Sequence, residues 1–359
     1  MRKFNAEMLT LARESRGLSQ QILSNRMQIN QSYLSKIEGG LIEPNDEFLQ
    51  KLSEGLNYPL DFFYQLGHKY PSRSFHRKKN KLSQTDLSAI SATANIMILH
   101  IRELLNDISL SSVGIKEVDI DSQTPEEIAQ SIRLLWDIPE GPINNMIACV
   151  EVNGGVVMGI DVMSDAFDGV TITVPELPHA IFFNKNMPGD RIRFTIAHEL
   201  GHAVMHRYPT EGMEEEANRF AAEFLMPEAE IKSSLYNLTL SKLMQLKCYW
   251  KVSMGALLRR AKDLGTITSA EYTKMYREMG MLGIVKVEPY PIAPEKPKLF
   301  VSILNFLKKE MDYNDIQIMQ RFQIHEDDYY KYYFDNIKHS KPRLVKKPLE
   351  LLEYGNLID

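Results

Sequence analysis

The chain has 359 residues, 44% of them apolar and 25% charged, so it is long enough for two or three domains with ordinary cores. Its net charge of -5 excludes a uniformly basic nucleic-acid binder but allows one basic domain. The stretch 87–105 is too polar to span a bilayer, and the N-terminus lacks the apolar core of a signal peptide. Cys149 and Cys248 are far apart in sequence, which predicts two buried thiols and a cytoplasmic protein without a membrane contact.

Residues 1–65 show four or five short helical patterns separated by turn residues. Within them, Ser19 can cap a helix over 20–27, and a three-residue turn leads to a second helix over 31–38. This spacing predicts a helix-turn-helix, whose second helix enters the major groove of DNA. Residues 1–81 hold 13 Lys/Arg against 8 Asp/Glu, so they are the basic part of an acidic chain.

Residues 6–65 resemble the Xre/Cro-type DNA-binding domain. The resemblance implies DNA contacts at Gln20, Gln31, Ser32 and Lys36. It places Gln20 at a phosphate and the other three at base edges. It also implies a structural ion pair between Arg13 and Glu38.

The partner would be a double-stranded DNA operator, bound by a homodimer because one short helix reads few base pairs. A helix-turn-helix that contacts only proteins is the alternative.

A basic linker is expected over 66–83, with phosphate contacts at Arg77, Lys78, Lys79 and Lys81. The pattern then predicts an amphipathic helix over 84–107 and a second helix over 124–136. Strands are predicted at 147–152, 156–160, 170–174 and 180–184. Helices are predicted from a cap at Asp190 through His206, over 213–224, and in two pieces over 240–264.

The segment RIRFTIAHELGHAVMHR contains a His-Glu-x-x-His motif. His198 and His202 are four residues apart, so on a helix they are offset by only about 40° and can reach one metal ion. Glu199 lies beside that face, where it can take a proton from a water molecule as a general base. The motif predicts a catalytic zinc site.

A third protein ligand is expected from the acidic segment MEEEANRFAAEFLMP. Glu214 is favoured because Asn218 lies one turn further on and can bond a ligand histidine. Glu216 is the alternative ligand, and Glu215 is expected to face solvent. Two histidines and a carboxylate also suit manganese or iron, so the metal beyond a divalent ion stays open.

Three further side chains near the motif are weaker candidates. His206 continues the series of histidines one turn on, where it either stabilises an oxyanion or interacts with the end of the helix. His179 and Tyr208 carry less support still.

Residues 125–268 resemble the ImmA/IrrE-type metallopeptidase family. The resemblance rests on the His-Glu-x-x-His helix, on EEEANRFAAEFLMP and on SKLMQLKCYWKVSMGALLRRAKDLG. It implies a zincin-like α+β domain with Zn²⁺ held by His198, His202 and Glu214, and Glu199 as the base. It also implies a repressor-type protein as the substrate.

The sequence therefore predicts a multidomain protein. It has an all-α helix-turn-helix domain (1–65), a basic linker and connecting helix (66–118), a metallopeptidase domain (119–268) and a small helical C-terminal region (269–359). A Pro-rich linker is expected near 288–298, with aromatic helices over 298–336 and a basic cluster at 341–347.

The expected function is transcription regulation with a zinc endopeptidase that cleaves a repressor. The alternative is a DNA-binding regulator, or an antitoxin-like protein, whose zinc domain is a sensor or a partner-binding module without turnover.

Overall fold

The computed structural model describes residues 3–70, 82–108, 115 and 123–334. The predicted phosphate contacts at 77–81 and the basic cluster at 341–347 lie outside these residues. The described residues form two hydrophobic cores, one on each face of a small sheet. No helix among them is long and apolar enough to cross a bilayer.

The N-terminal part is a bundle of short helices. They are α1 (Ala6–Ser15), α2 (Gln20–Arg26), α3 (Gln31–Glu38), α4 (Asp46–Leu56) and a 3-10 helix (Leu60–Tyr64). A Ser or Asn side chain caps each of the four α-helices by accepting a backbone N–H. The predicted helix-turn-helix over α2 and α3 is confirmed, as is the Ser19 cap.

Helix α5 (Gln84–Leu105) packs against α1 and against the C-terminal helices α14 (Leu299–Glu310), α15 (Asp315–Phe322) and α16 (Glu326–Tyr333). Residues 94–101 are all buried, so about two turns of α5 are enclosed on every side. The prediction of an amphipathic helix was wrong here, because elements more than 200 residues away cover the face expected to meet solvent.

The sheet contains β1 (Val156–Ile160), β2 (Gly169–Ile172) and β3 (Ala180–Asn184) in the order β1-β3-β2. Strand β1 runs parallel to β3, and β2 runs antiparallel to it. Alternating residues of each strand face the two cores, so the sheet joins the N- and C-terminal helices to the helices that follow β3.

Helices pack on the other face of the sheet. They are α6 (Pro125–Leu135), α7 (Met146–Val152), α8 (Gly189–Met205), α9 (Met213–Leu225), α10 (Glu228–Ile231), α11 (Leu240–Trp250), α12 (Met254–Asp263) and α13 (Ser269–Met281). Thr124 and Glu127 form a complete capping box at the start of α6. Helices α8 and α9 pack along each other.

The predicted strand over 147–152 is wrong, because these residues form α7. Asn145 caps this helix by accepting the N–H of Ala148, and the Glu295 carboxylate accepts the N–H of Ile147. The apolar and β-branched composition suggested a strand, but a local cap and a distant carboxylate satisfy a helical turn instead.

The segment 285–298, called the strap below, includes the Pro-rich linker predicted near 288–298 and packs across the start of α8. A Cβ on Gly189 would lie 2.4 Å from the carbonyl oxygen of Ile292. Glu295 of the strap pairs with Arg193, and Glu288 pairs with Lys247 at 2.8 Å.

Two local predictions also differ from the structure. Asp190 lies inside the first turn of α8 and pairs with Lys247, so it is not the cap of that helix. Cys149 is half-buried, but Cys248 is exposed, so the prediction of two buried thiols is wrong for Cys248.

Candidate metal centre and nucleic-acid interface

The two histidines of the His-Glu-x-x-His motif lie one turn apart on α8, on the side that faces α9. Gly201 lets α9 approach closely, since a Cβ there would lie 3.0 Å from the Phe220 ring. This approach brings the first turn of α9, and with it Glu214, next to both imidazoles.

Three donor atoms converge between α8 and α9. The Nε2 atoms of His198 and His202 are 3.0 Å apart, and the Glu214 carboxylate oxygens lie 3.6 Å and 3.4 Å from them. Donors bound to zinc at about 2.0–2.1 Å in tetrahedral geometry lie about 3.3 Å apart. The donor set and its spacing therefore fit one divalent ion with two nitrogen ligands and one carboxylate ligand.

The two histidines favour an ionised carboxylate at Glu214. Partial burial alone raises the pKa of Glu214, but hydrogen bonds and charge from His198 and His202 outweigh it and hold the pKa below its usual value. An ionised carboxylate is the form that binds a metal ion.

The outer nitrogen of each histidine has a polar partner. His198 Nδ1 lies 3.1 Å from Asn218 Oδ1, the contact expected from the one-turn spacing of Glu214 and Asn218. His202 Nδ1 lies 2.9 Å from Nδ1 of His206, whose Nε2 is 3.0 Å from Glu216. Partners of this kind orient metal-binding imidazoles.

Glu199 is buried beside the donor cluster and is 3% exposed. The hydroxyl of Thr171 on β2 donates to its carboxylate at 2.8 Å and also lies 3.0 Å from its backbone oxygen. Gly169 keeps β2 close, because a Cβ there would lie 3.2 Å from Cγ of Glu199. The sheet thus fixes the side chain of the candidate base through a contact that no sequence pattern predicts.

The remaining candidates of this region lie in different places. Glu216 contacts His206 and not the histidine pair of the motif, and Glu215 is exposed with a loose pairing to Arg259 at 3.5 Å. His206 is 2% exposed, and burial lowers its pKa against the hydrogen bond to Glu216, which raises it. Tyr208 is largely exposed, and His179 bonds the Thr173 hydroxyl.

The predicted DNA-contacting residues surround helix α3. Ser32 and Lys36 are exposed on it, whereas Leu34 and Ile37 point into the core. Gln31 donates to Gln20 at 2.8 Å, which places the two side chains in direct contact.

A chain of polar contacts ties this surface to the scaffold. Gln20 donates to Glu38 at 2.8 Å, and Glu38 pairs with Arg13 through two bonds of 2.6 and 2.9 Å. The ion pair that the resemblance implied is confirmed. The face of α1 that packs on α5 is buried, and α3 keeps a polar exposed face.

Two family models match the chain. Residues 9–63 match a helix-turn-helix model, and residues 153–262 match the M78 peptidase model, described as an IrrE N-terminal-like domain. A search of curated proteins finds no match. The chain thus carries a helix-turn-helix domain of the Xre type at its N-terminus and, further on, a domain of a peptidase family. That second domain is IrrE N-terminal-like, and it contains the cluster of His198, His202 and Glu214.

Proposed function

We propose that this protein is a DNA-binding transcription regulator whose IrrE-like domain is a zinc endopeptidase directed at a repressor-type protein. The observation that carries the proposal is the convergence of three donor atoms beside a buried glutamate. His198, His202 and Glu214 supply the ligands, and Glu199 supplies the base. A metal site that only senses a signal has no need of this fourth group.

Bound zinc would polarise the scissile carbonyl and lower the pKa of a water molecule. Glu199 accepts the proton of the attacking water and later delivers it to the leaving amine. Thr171 holds one oxygen of that carboxylate at 2.8 Å, which limits the rotamers of the base. The chain's own contribution is therefore a base in a fixed position next to the ligand cluster.

Strand β2 offers a place for the substrate backbone. It is an outer strand of the sheet among the described residues, and its Thr171 contacts Glu199. An extended peptide can add to such an edge through main-chain hydrogen bonds. A segment bound there would lie beside the base, which suits an endopeptidase that cuts an exposed loop of a folded protein.

The DNA-binding part of the proposal rests on α3. We expect Gln31, Ser32 and Lys36 on this helix to reach base edges, and a phosphate to bind near Gln20 at the start of α2. We infer a homodimer on an operator, since one such helix reads few base pairs. We also infer a cytoplasmic protein, because two cysteines far apart in sequence suit a reducing compartment.

The test compares the wild type with Glu199→Gln in cells that carry the operator. Zinc content of the purified proteins is measured by mass spectrometry, and new protein N-termini are mapped in both strains. We expect about one zinc per chain in both proteins and a cleaved helix-turn-helix repressor in the wild-type strain alone.

If both strains regulate identically and neither shows a new N-terminus, the peptidase assignment is wrong, and a zinc-dependent sensor is left. Loss of zinc from the variant would mean that Glu199 is a ligand and not a base.

A further inference from the structure

A line of polar contacts leads from the metal cluster to the surface through the second histidine. His202 Nδ1 meets His206 Nδ1 at 2.9 Å, and His206 Nε2 meets the Glu216 carboxylate at 3.0 Å. His206 is 2% exposed and follows α8 directly, while Glu216 lies in the first turn of α9. Helices α8 and α9 are therefore linked by the His206–Glu216 contact as well as by the three candidate ligands.

The chemistry of these contacts fits one arrangement of protons when a metal ion is bound. A histidine that binds a metal through Nε2 carries its proton on Nδ1, so His202 donates to Nδ1 of His206. His206 then carries its own proton on Nε2, which donates to the Glu216 carboxylate. The lone pair of His202 lies on Nε2, the atom beside His198 and Glu214.

The opposite arrangement is incompatible with a metal ion. If His206 carried both ring protons, His202 would accept on Nδ1 and hold its own proton on Nε2. That proton would point at the space between the three donor atoms. The order of donors and acceptors in the two hydrogen bonds between His202, His206 and Glu216 therefore determines whether Nε2 of His202 can bind a metal ion.

We propose that His206 and Glu216 are positioning residues that hold His202 in the tautomer and orientation needed for a divalent metal ion. This inference rests on the metal site of the proposed function. The role of His206 is then neither to stabilise an oxyanion nor to interact with the end of the helix, which were the two roles considered from the sequence. Glu216 supports a ligand and is not a ligand itself. Removal of such a partner typically costs about 10- to 100-fold in metal affinity.

The first histidine has a different support. His198 Nδ1 faces the neutral amide of Asn218, whereas the support of His202 ends in a carboxylate. The charge makes the hydrogen bonds of the His202 arm stronger, so the affinity of the site should depend on the Glu216 charge and not only on its shape.

Three substitutions of His206 separate the two contacts. In His206→Asn the amide oxygen takes the place of Nδ1 and can still accept from His202. In His206→Gln the amide takes the place of Nε2 and can still meet Glu216, but the contact with His202 is lost. His206→Leu removes both contacts. We expect the zinc dissociation constant to rise about 10- to 100-fold for Leu and Gln, and by less for Asn.

Glu216→Gln tests the charge, with Glu215→Gln as its matched control. Both changes remove one negative charge from the first turn of α9, but Glu215 is exposed and does not contact a histidine. Zinc affinity of the full chain, measured by competition with a chromophoric chelator, should fall about 10-fold for Glu216→Gln. The control should stay within about twofold, because its charge is screened by solvent.

A second readout uses the zinc-loaded protein. ¹H–¹⁵N spectra report the Nδ1–H of His202, and we expect this proton to be hydrogen-bonded and slow to exchange in the wild type and to exchange faster in His206→Leu. Far-UV circular dichroism shows that each variant is folded.

Equal zinc affinity of the wild type and folded His206→Leu would overturn the proposal. So would equal affinity of the Glu216→Gln and Glu215→Gln variants, or a His202 Nδ1–H that exchanges equally fast in the zinc-loaded wild type and in His206→Leu. If the wild type binds zinc but cuts no protein, the peptidase proposal fails. The order of zinc affinities among the His206 and Glu216 variants still tests the positioning role.

Discussion

Arg16, at the end of α1, makes a two-point ion pair with Asp328 of α16, with bonds of 2.8 and 2.6 Å across 312 residues of sequence. The guanidinium also lies 4.2 Å from the centre of the Tyr58 ring and donates to the carbonyl oxygen of Leu56. The Asp328 side chain is 5% exposed. The helix-turn-helix domain is thus bound to the last described helix of the chain through a largely buried charge pair.

Asp328→Asn should destabilise this junction by about 3 kcal/mol, since it leaves the Arg16 charge largely buried without its counter-ion. The free energy of unfolding in urea measures the effect. Asp327→Asn is the control, because Asp327 is the exposed neighbour on the same helix. Equal stability of the two variants would show that the ion pair contributes nothing to holding the domain.

Thr171→Val should lower kcat by about 10- to 100-fold at nearly unchanged KM, because the base loses the hydroxyl that holds it in position. Zinc content should not change, since Thr171 does not contact the ligand cluster. Thr173→Val is the matched control, as its hydroxyl bonds His179. A zinc-loaded Thr171→Val enzyme with full kcat would contradict the role given to this contact.

Glu214→Gln should lower zinc affinity by more than about 100-fold, because a charged ligand is lost and not merely a supporting contact. The exposed Glu211→Gln on the preceding loop should bind zinc as the wild type does. The zinc dissociation constants of both variants are measured by competition with a chromophoric chelator. Retention of tight zinc binding by Glu214→Gln would reopen the identity of the third ligand.

Gln31→Ala and Lys36→Ala should each weaken binding to the operator by about 1–3 kcal/mol, since both remove side chains expected at base edges. The operator is first isolated by selection from random DNA, and affinity is then measured by fluorescence anisotropy at two salt concentrations. Lys274→Ala, an exposed lysine on α13, serves as the control. Unchanged operator affinity in both α3 variants would mean that this helix does not read DNA.

His100 predicts a pH dependence of stability. Burial lowers its pKa to about 3, and the ring bonds the Phe322 carbonyl oxygen at 3.2 Å and the Tyr333 hydroxyl. Because the folded pKa lies below the unfolded value, the unfolded chain takes up a proton as the pH falls below about 6.5. Stability present above that pH is lost towards pH 3, by up to about 1.4 kcal/mol per pH unit.

Urea unfolding at several pH values between 7 and 4 checks this prediction, with His100→Gln expected to remove the His100 contribution to the slope. The exposed His325→Gln should retain it. An identical pH slope in the wild type and His100→Gln would contradict the assignment.

How far the sequence predicts this molecule depends on the range of the interactions involved. Ser19, Thr124 and the His198–His202 spacing act within one or two helical turns, and the elements they predict are present. At α7 the cap by Asn145 is a local signal, but the Glu295 carboxylate that accepts the N–H of Ile147 lies 148 residues away. No local pattern predicts this second contact.

The same distinction holds inside the candidate site. Glu214 and Asn218 were inferred from a one-turn spacing, and the structure places both beside the histidines. Thr171 reaches Glu199 only because β2 folds against α8, and Glu216 reaches His206 only because α9 turns back along α8. Contacts of this kind, between residues on different elements, are visible only in the folded structure.

The strap changes where a fragment that contains the helix of His198 and His202 can end. A chain cut after residue 268 would lose Glu288 and Glu295 and leave Lys247 and Arg193 as buried charges without these counter-ions. A fragment that keeps both counter-ions therefore has to extend through the strap, to about residue 298, and a junction with another chain that spares this support has to lie beyond it.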